Sequence, residues 1–170
     1  TAMGEVLSFG CGNVGRLGHG DGEHQREPKV IEALRDRRVV AIAAGNKHSM
    51  VLTDEGAVLS FGKGGCGQLG HGDEEDQLVP KVIEALRGTR VVAIAAGLCH
   101  SMVLTEVGEV LSFGSGVYGK LGHGNGEGQL VPQVIEALRG TRVLAIAAGS
   151  EHSMVLTDEG AVLSFGMGEH

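Results

Sequence analysis

The chain has 170 residues, enough for one domain with its own core, and carries a formal net charge of −7. An acidic chain is poorly suited to the phosphate backbone of nucleic acids, and no apolar run reaches the length of a membrane-spanning helix. The composition therefore predicts a globular protein that binds neither nucleic acid nor a membrane.

The three cysteines, Cys11, Cys66 and Cys99, occur in no paired motif. An odd number of cysteines without a Cys-x-x-Cys spacing indicates neither a disulfide framework nor a zinc site. We therefore expect a reducing, intracellular setting, either cytoplasmic or nuclear.

A 52-residue repeat dominates the sequence. The segment FGCGNVGRLGHG at 9–20 returns twice at intervals of 52 residues, and a further copy begins near the end of the chain. The repeats occupy 4–55, 56–107 and 108–159, followed by a partial repeat at 160–170. We expect 4–170 to form a single domain of stacked, near-identical units, whereas 1–3 resembles a vector-derived remnant.

The glycines of this segment have a spacing that occurs in nucleotide-binding proteins. Gly10, Gly12 and Gly15 spell G-x-G-x-x-G, which can hold a dinucleotide where it opens a helix. Here the motif runs into Leu-Gly-His-Gly, whose glycines would break a helix. The context indicates a turn that recurs once per unit, and we expect no nucleotide and no other cofactor.

Four stretches of each repeat have the character of strands. In the first repeat they are, in chain order, EVLSF at 5–9, PKVIEAL at 28–34, RVVAIAAG at 38–45 and HSMVLT at 48–53. These runs are rich in branched or apolar residues, and glycines or turn signals such as Asp-Glu-Gly separate them. Pro28 suits a strand start or an edge strand, because it cannot donate a ladder hydrogen bond. A short helix at 28–34 is the alternative, since Glu, Ala and Leu favour one.

The predicted fold is all-β. About four short strands per unit with glycine turns are typical of a propeller blade. We predict blades of four antiparallel strands, one per 52-residue repeat and three per chain, with one surplus strand at the end. The aromatic residue of each Ser-Phe-Gly is expected in the cores between blades: Phe9, Phe61, Phe113 and Phe165.

The fixed positions resemble the repeat of the regulator of chromosome condensation family. The matching pattern is G-x-V-x-S-F-G, then G-x-L-G-x-G, then A-G-x-x-H-S and L-T-x-x-G, and it covers the chain from Gly4 onward. The resemblance implies a four-stranded blade per repeat, in a ring that usually has about seven blades. It also implies a module that binds a protein partner.

Two histidines recur in every repeat. One set follows Ala-Ala-Gly, namely His48, His100 and His152, and the other lies in Leu-Gly-His-Gly, namely His19, His71 and His123. A residue repeated once per blade is more typical of a structural hydrogen bond than of a metal ligand. Each histidine of the first set precedes a serine, but neighbours in a strand point to opposite faces and cannot pair as base and nucleophile. We predict no metal site and no enzymatic activity.

Positions that are fixed in all three repeats are needed to build the blade, and positions at which the repeats differ are not. They concentrate in the loop after Ser-Phe-Gly, in the acidic loops and at the two residues before each His-Ser. The candidate partner-binding face consists of Asn46, Lys47, Leu98, Cys99, Ser150, Glu151 and Tyr118. Neutral variation of surface loops is the alternative explanation.

The leading prediction is a non-enzymatic scaffold that binds a protein partner. The resemblance also implies guanine nucleotide exchange on a small GTPase, as its founding member performs, although repeats of equal length leave no insertion to act as a wedge. A plant ultraviolet-B photoreceptor of the family uses tryptophans, and this chain has none. The uniform repeats fit an engineered or excised fragment as well as a recently amplified natural protein.

Three blades in an arc leave two blade faces without neighbours and strand edges open for pairing. Closed propellers have about 4–8 blades, so two copies of this chain fall in that range. We predict a homodimer that closes a six-bladed ring about a twofold axis. The strands at 5–9 and 161–165 are copies of each other. Either one is displaced at the seam, or it begins an extra blade, or the parent protein continues to a longer ring.

Overall fold

The computed structural model describes residues 5–168, so the predicted remnant at 1–3 and the last two residues of the partial repeat lie outside the described residues. Within this range the chain forms thirteen strands in four antiparallel sheets, with short 3-10 turns and no α-helix. The all-β prediction is confirmed.

Two complete blades lie between two incomplete ones. The amino-terminal half-blade consists of β1 (Leu7–Gly10) and β2 (Gln25–Val30). The first blade consists of β3 (Val39–Ala44), β4 (His48–Thr53), β5 (Val58–Gly62) and β6 (Gln77–Val82). The second blade consists of β7 (Val91–Ala96), β8 (His100–Thr105), β9 (Val110–Gly114) and β10 (Gln129–Val134). The carboxy-terminal partial blade consists of β11 (Val143–Ala148), β12 (His152–Thr157) and β13 (Val162–Gly166).

The blades are out of phase with the sequence repeats. The repeat 4–55 supplies β1 and β2 to one sheet and β3 and β4 to the next. The phase is set by the Asp-Glu-Gly hairpin, in which the Thr53 amide donates to the Ala57 carbonyl (2.9 Å) and joins β4 to β5. The surplus strand is β13, which gives the described chain one strand more than three four-stranded blades need.

The strand predicted at 28–34 is partly confirmed. β2 begins earlier, at Gln25, and ends at Val30, whereas Glu32–Leu34 form a 3-10 turn that buries Leu34. The helical preference of Glu, Ala and Leu is therefore expressed as one turn rather than as a helix. Pro28 lies inside β2, which pairs on one side only, with β1. An edge strand tolerates proline because one side of its ladder is free.

The second half of the glycine segment is explained by packing between blades. Gly18 has φ +78, and a Cβ at this position would lie 2.9 Å from the ring of Phe61 in the next blade. Gly70 and Phe113 repeat the contact at 2.8 Å. A side chain at either glycine would collide with the aromatic core of the neighbouring blade. Gly18 and Gly70 thus serve the packing of one blade against the next, once per repeat.

The four equivalent phenylalanines do not share one environment. Phe61 and Phe113 are 2% and 0% exposed, and Phe165 is half-buried. Phe9 is 63% exposed, so its predicted place in the core is wrong for the single chain. The reason is positional: Gly18, Gly70 and Gly122 of the preceding loop lie against the other three rings, and the residues that the structure describes include no such loop before Phe9.

Candidate functional site

Three turns that carry most of the candidate residues lie side by side. They join β3 to β4, β7 to β8 and β11 to β12, and the strands β3, β7 and β11 contact one another in series. The turns line one open depression. Residues at two positions of each turn differ between repeats. Each turn therefore presents a different side chain to the depression: Asn46, Leu98 or Ser150.

Glycine in these turns is required by close approach of one blade to the next. A Cβ on Gly45 would lie 2.6 Å from the carbonyl oxygen of Gly97, and one on Gly97 would lie 2.6 Å from that of Gly149. The Asn46 amide donates to the Gly97 oxygen (3.1 Å). Only a residue without a side chain permits this spacing.

The His-Ser motif builds a ladder between blades. His48 Nε2 lies 2.8 Å from Ser101 Oγ, and His100 Nε2 lies 2.9 Å from Ser153 Oγ. Ser101 Oγ donates to the Gln68 carbonyl oxygen at 2.8 Å, so the serine accepts its other hydrogen bond from the histidine N–H. The predicted structural role of these histidines is confirmed for His48 and His100, with the partner in the following blade.

The environment of the ladder keeps its histidines neutral. Burial lowers the pKa of His48 to about 4, with a further contribution from His100. Burial also lowers the pKa of His100 to about 4, helped by Lys120 and opposed by Glu151. Each serine proton is committed to a carbonyl and both partners are buried, so the pair lacks the access and the free hydroxyl that a nucleophile needs.

The second set of histidines anchors the glycine loops. His19 Nε2 lies 3.0 Å from Ser8 Oγ, and that hydroxyl donates to the Leu17 carbonyl at 2.6 Å. The later repeats conserve this geometry, with His71 on Ser60 at 3.0 Å. Burial lowers the pKa of His71. These residues hold each loop against its own strand.

Neither histidine set belongs to a metal cluster among the residues that the structure describes. No group of three or more histidine, cysteine or acidic side chains is placed to hold an ion there. In the same range, no helix is long and apolar enough to cross a membrane.

The seven candidate residues lie on one edge of the blades, and we call them the variable face. The loop after β9, which carries Tyr118, begins beside the second turn, because the Ser115 amide donates to the Cys99 carbonyl (2.8 Å). The loop after β5 begins beside the first turn in the same way, through the Lys63 amide and the Lys47 carbonyl (2.8 Å). Exposed members are Asn46, Lys47, Ser150 and Tyr118, and half-buried members are Leu98, Cys99 and Glu151. The structure therefore brings all seven to the same side.

Tyr118 is held in an unusual backbone conformation. Its φ is 63° and its side chain is 58% exposed. Val14, at the equivalent position of the amino-terminal half-blade, has φ 60°. Left-handed backbone costs roughly 1 kcal/mol or more for a non-glycine residue. The loop accepts that strain and turns an aromatic side chain toward solvent.

Two variable positions contact each other, which sequence reasoning missed. Lys120 Nζ lies 2.5 Å from Glu151 Oε2, and the two side chains are 3% and 26% exposed. In the first repeat Arg16 Nη1 instead donates to the Asn46 carbonyl (2.8 Å). The sequence does carry a sign of this contact, because opposite charges occur at these two positions in the third repeat alone. Glu151 thus belongs to the variable face and also neutralises a buried lysine.

The cysteine on the variable face is not an activated thiol. Burial raises the pKa of Cys99, and a hydrogen bond with the Cys66 thiol raises it further. A thiol with a raised pKa is mostly protonated at neutral pH and is a poor nucleophile.

The acidic loops are built on local turns at the same edge. Asp21 Oδ1 and Asp73 Oδ1 accept hydrogen bonds from the amides two residues later, at 3.0 and 3.1 Å. Asp76 Oδ1 accepts from the Gly64 amide at 2.8 Å. Glu74 and Glu75 are exposed, and neither of these two carboxylates forms an ion pair in the structure.

Stacked four-stranded antiparallel blades, each tied to the next through a His-Ser contact, define a β-propeller of the RCC1 type. The chain belongs to the RCC1 repeat family. The model described as "Regulator of chromosome condensation (RCC1) repeat" matches 3–52, 55–104 and 107–156. The resemblance deduced from the sequence is confirmed.

The relatives are longer proteins. The chain is 42% identical over 176 residues to the E3 ubiquitin-protein ligase HERC2 of Mus musculus, covering 100% of this chain and 4% of HERC2. It is 40% identical over 166 residues to the Ultraviolet-B receptor UVR8 of Arabidopsis thaliana, covering 97% of this chain and 38% of UVR8. Prp20p of Saccharomyces cerevisiae superposes with a TM-score of 0.85 at 25% identity, covering 97% of this chain and 42% of that chain. The chain spans less than half of each of these proteins.

Proposed function

We propose that the chain is a non-enzymatic scaffold that presents the variable face to a protein partner. The observation that carries this proposal is positional. All seven residues lie on one edge, above glycines and a His-Ser ladder that stay the same from repeat to repeat. A fixed frame with variable loops on one side is how loop-bearing folds combine stability with recognition. Tyr118 supplies the exposed aromatic side chain that protein interfaces favour.

The charge of the loops favours a basic partner. Glu74 and Glu75 are exposed on the loop after β5, at the edge that carries the variable face, and the chain has a net charge of −7. Complementary charge accelerates encounter and selects partners. The Prp20p structure is described with binding to Gsp1p and histones. We therefore propose a lysine- or arginine-rich protein segment as the ligand class.

Ring closure by two copies is the second part of the proposal. The incomplete sheets at both ends of the described chain leave edges and apolar faces that a further blade would cover. A six-bladed homodimer would place two copies of the variable face on one side of a disc.

Histones and Gsp1p are suitable probes for the test, by titration against the labelled chain at two salt concentrations. Tyr118→Ser and Leu98→Ser should weaken binding, and higher salt should weaken it further. Val107→Ser is the matched control, because Val107 is 73% exposed in the β8–β9 hairpin at the opposite edge. Equal effects of all three substitutions, or no binding of either probe, would contradict the proposal.

Guanine nucleotide exchange is the competing activity, and the repeat lengths argue against it. The loops after β1, β5 and β9 have the same length, so none of them forms an inserted wedge. Release of labelled GDP from loaded Gsp1p should not accelerate when the chain is added. Acceleration that Tyr118→Ser abolishes would replace the scaffold proposal with an exchange function.

A further inference from the structure

The face of the partial blade that points away from the second blade is uncovered. Met102 and Val110 in the second blade are 0% and 1% exposed, whereas their equivalents Met154 and Val162 are 38% and 59% exposed. The difference cannot come from the residues, which are identical. It comes from the surroundings, because among residues 5–168 no blade follows β13.

The internal repeats show what covers this face. Met102 belongs to a core cluster against which Ile146 and Ala148 of β11 pack. The residue equivalent to Ile146 in the first blade is Ile42 of β3, which is 68% exposed. The exposed face of the partial blade is therefore equivalent to the Met102 side of this contact, and the exposed face of β3 is equivalent to the Ile146 side.

The His-Ser ladder points to the same junction. It runs from His48 to Ser101 and from His100 to Ser153. His152 is exposed at the end of the ladder, and Ser49 is only half-buried at its start, whereas Ser101 is buried. A second copy of the chain would offer its Ser49 to His152, at the spacing that the two complete rungs have.

The open edge of β13 has a matching strand in the amino-terminal half-blade. In the first blade β5 pairs with β6 through Leu59↔Val82, Ser60↔Lys81 and Gly62↔Gln77. β13 is a copy of β5, and no strand pairs with its outer edge among the described residues. β2 is the equivalent of β6, and at present it pairs with β1 through Leu7↔Val30, Ser8↔Lys29 and Gly10↔Gln25.

Two strands, β1 and β13, compete for one place at this junction. Of the two, β1 has fewer paired positions and a less buried phenylalanine. β13 pairs with β12 at five positions, and Phe165 contacts the loop of the second blade, where a Cβ on Gly122 would lie 2.9 Å from its ring. β1 pairs with β2 at three positions, and its Phe9 is 63% exposed.

We propose that the partner which completes the partial blade is a second copy of this chain, whose β2 leaves β1 and adds to β13. The expected register is Leu163↔Val30, Ser164↔Lys29 and Gly166↔Gln25, with the second residue of each pair in the other copy. The same copy places β3 over Met154 and Ser49 against His152. Because both ends of each chain are used, two such seams close the ring. The inference rests on the ring closure proposed above and specifies how its seam is built.

Disulfide trapping in the full chain tests the seam. In a background of Cys11→Ser, Cys66→Ser and Cys99→Ser, two single variants carry Val30→Cys and Leu163→Cys. Facing positions of an antiparallel pair lie within reach of a disulfide. Mixing the reduced variants and adding oxidised glutathione should give a covalent species of twice the 17.5 kDa chain mass, and neither variant alone should give that species in comparable yield. A cooperative melt of each variant confirms that it folds.

A second pair of variants separates this seam from its rival. If β1 of one copy displaced β13 of the other, Val6 would face Leu156, and a mixture of Val6→Cys and Leu156→Cys would crosslink instead. That result would overturn the strand exchange while leaving ring closure intact. A dimer in light scattering without the 30–163 crosslink would also overturn it. A monomer of the unmodified protein would overturn both the seam and the ring.

Discussion

The central blades and the terminal sheets contain the same residues in different surroundings. Phe61 and Met102 are 2% and 0% exposed, whereas Phe9 and Met154 are 63% and 38% exposed. Stability in this repeat is therefore encoded mainly at the contact between blades, as in other arrays whose units touch only their neighbours. A terminal sheet contains the same residues but has a neighbouring blade on one side only.

The largest difference is expected from the phenylalanines. Phe61→Ala should destabilise the chain by about 3–5 kcal/mol, because it empties a filled aromatic site between two blades. Phe9→Ala is the matched substitution at an exposed site and should cost less than about 0.5 kcal/mol. Chemical denaturation of both variants measures the two free energies of unfolding. Equal losses would show that the terminal sheet is packed like a central one.

Acidification should weaken the His-Ser ladder, which joins the first blade to the second and the second blade to the partial blade. His48 and His100 have pKa values near 4 in the folded chain, below the ordinary value of 6.5. Unfolding therefore takes up protons between these values, so stability is complete above pH 6.5 and falls as the pH drops toward 4. Near pH 5 the loss should be about 2 kcal/mol per histidine.

Denaturant melts at pH 7.5 and 5 measure this loss, and His48→Gln should remove about half of it. Lys120, Glu151 and His152 also face His100, so the variant is compared with the parent chain at both pH values. A difference between the two pH values that His48→Gln leaves unchanged would place the titrating groups elsewhere.

Breaking the Lys120–Glu151 ion pair of the third repeat should cost less stability than Phe61→Ala and no more than the two histidines lose together at pH 5. Glu151→Gln leaves Lys120 without its counter-charge at a side chain that is 3% exposed, and should cost about 2–4 kcal/mol at most, since Glu151 is itself partly in water. The double variant Lys120→Gln, Glu151→Cys recreates the residues of the second repeat, Gln68 and Cys99. Thermal melts should show the double variant to be more stable than Glu151→Gln. The reverse order would mean that the two positions do not act as a pair.

A small effect on stability, in the opposite direction, is expected at Tyr118. Tyr118→Gly relieves a left-handed backbone at φ 63° and should change the free energy of unfolding by about 1 kcal/mol or less, in the stabilising direction. Binding of a basic probe should nevertheless weaken, because the aromatic side chain is lost. A stable variant with unchanged affinity in a titration would remove Tyr118 from the partner-binding face.

Much of the fold was predictable because the repeat marks its own strands and turns. The strands at 48–53 and the equivalent positions, the burial of Phe61 and Phe113 and the structural role of His48 follow from residue type and recurrence. The phase of the blades did not follow, since a strand such as 5–9 has the same pattern whichever neighbour it pairs with.

The candidate site was predictable in location but not in detail. Positions that differ between repeats are expected on loops, and all seven do lie at one edge. The contact between Lys120 and Glu151 was missed because it joins loops that are 31 residues apart and exists in one repeat only. The strained backbone of Tyr118 was also missed, since a tyrosine is a rare choice for a positive φ.

Light scattering on the purified chain, over a range of concentrations, tests most directly whether the terminal sheets complete each other. We predict twice the 17.5 kDa mass, and a single-chain mass for Ile42→Asp, which puts a charge on the exposed face of β3 without touching the central core. A monodisperse mass of one chain for the unmodified protein, with a cooperative melt, would show that the terminal sheets remain open and would contradict the account.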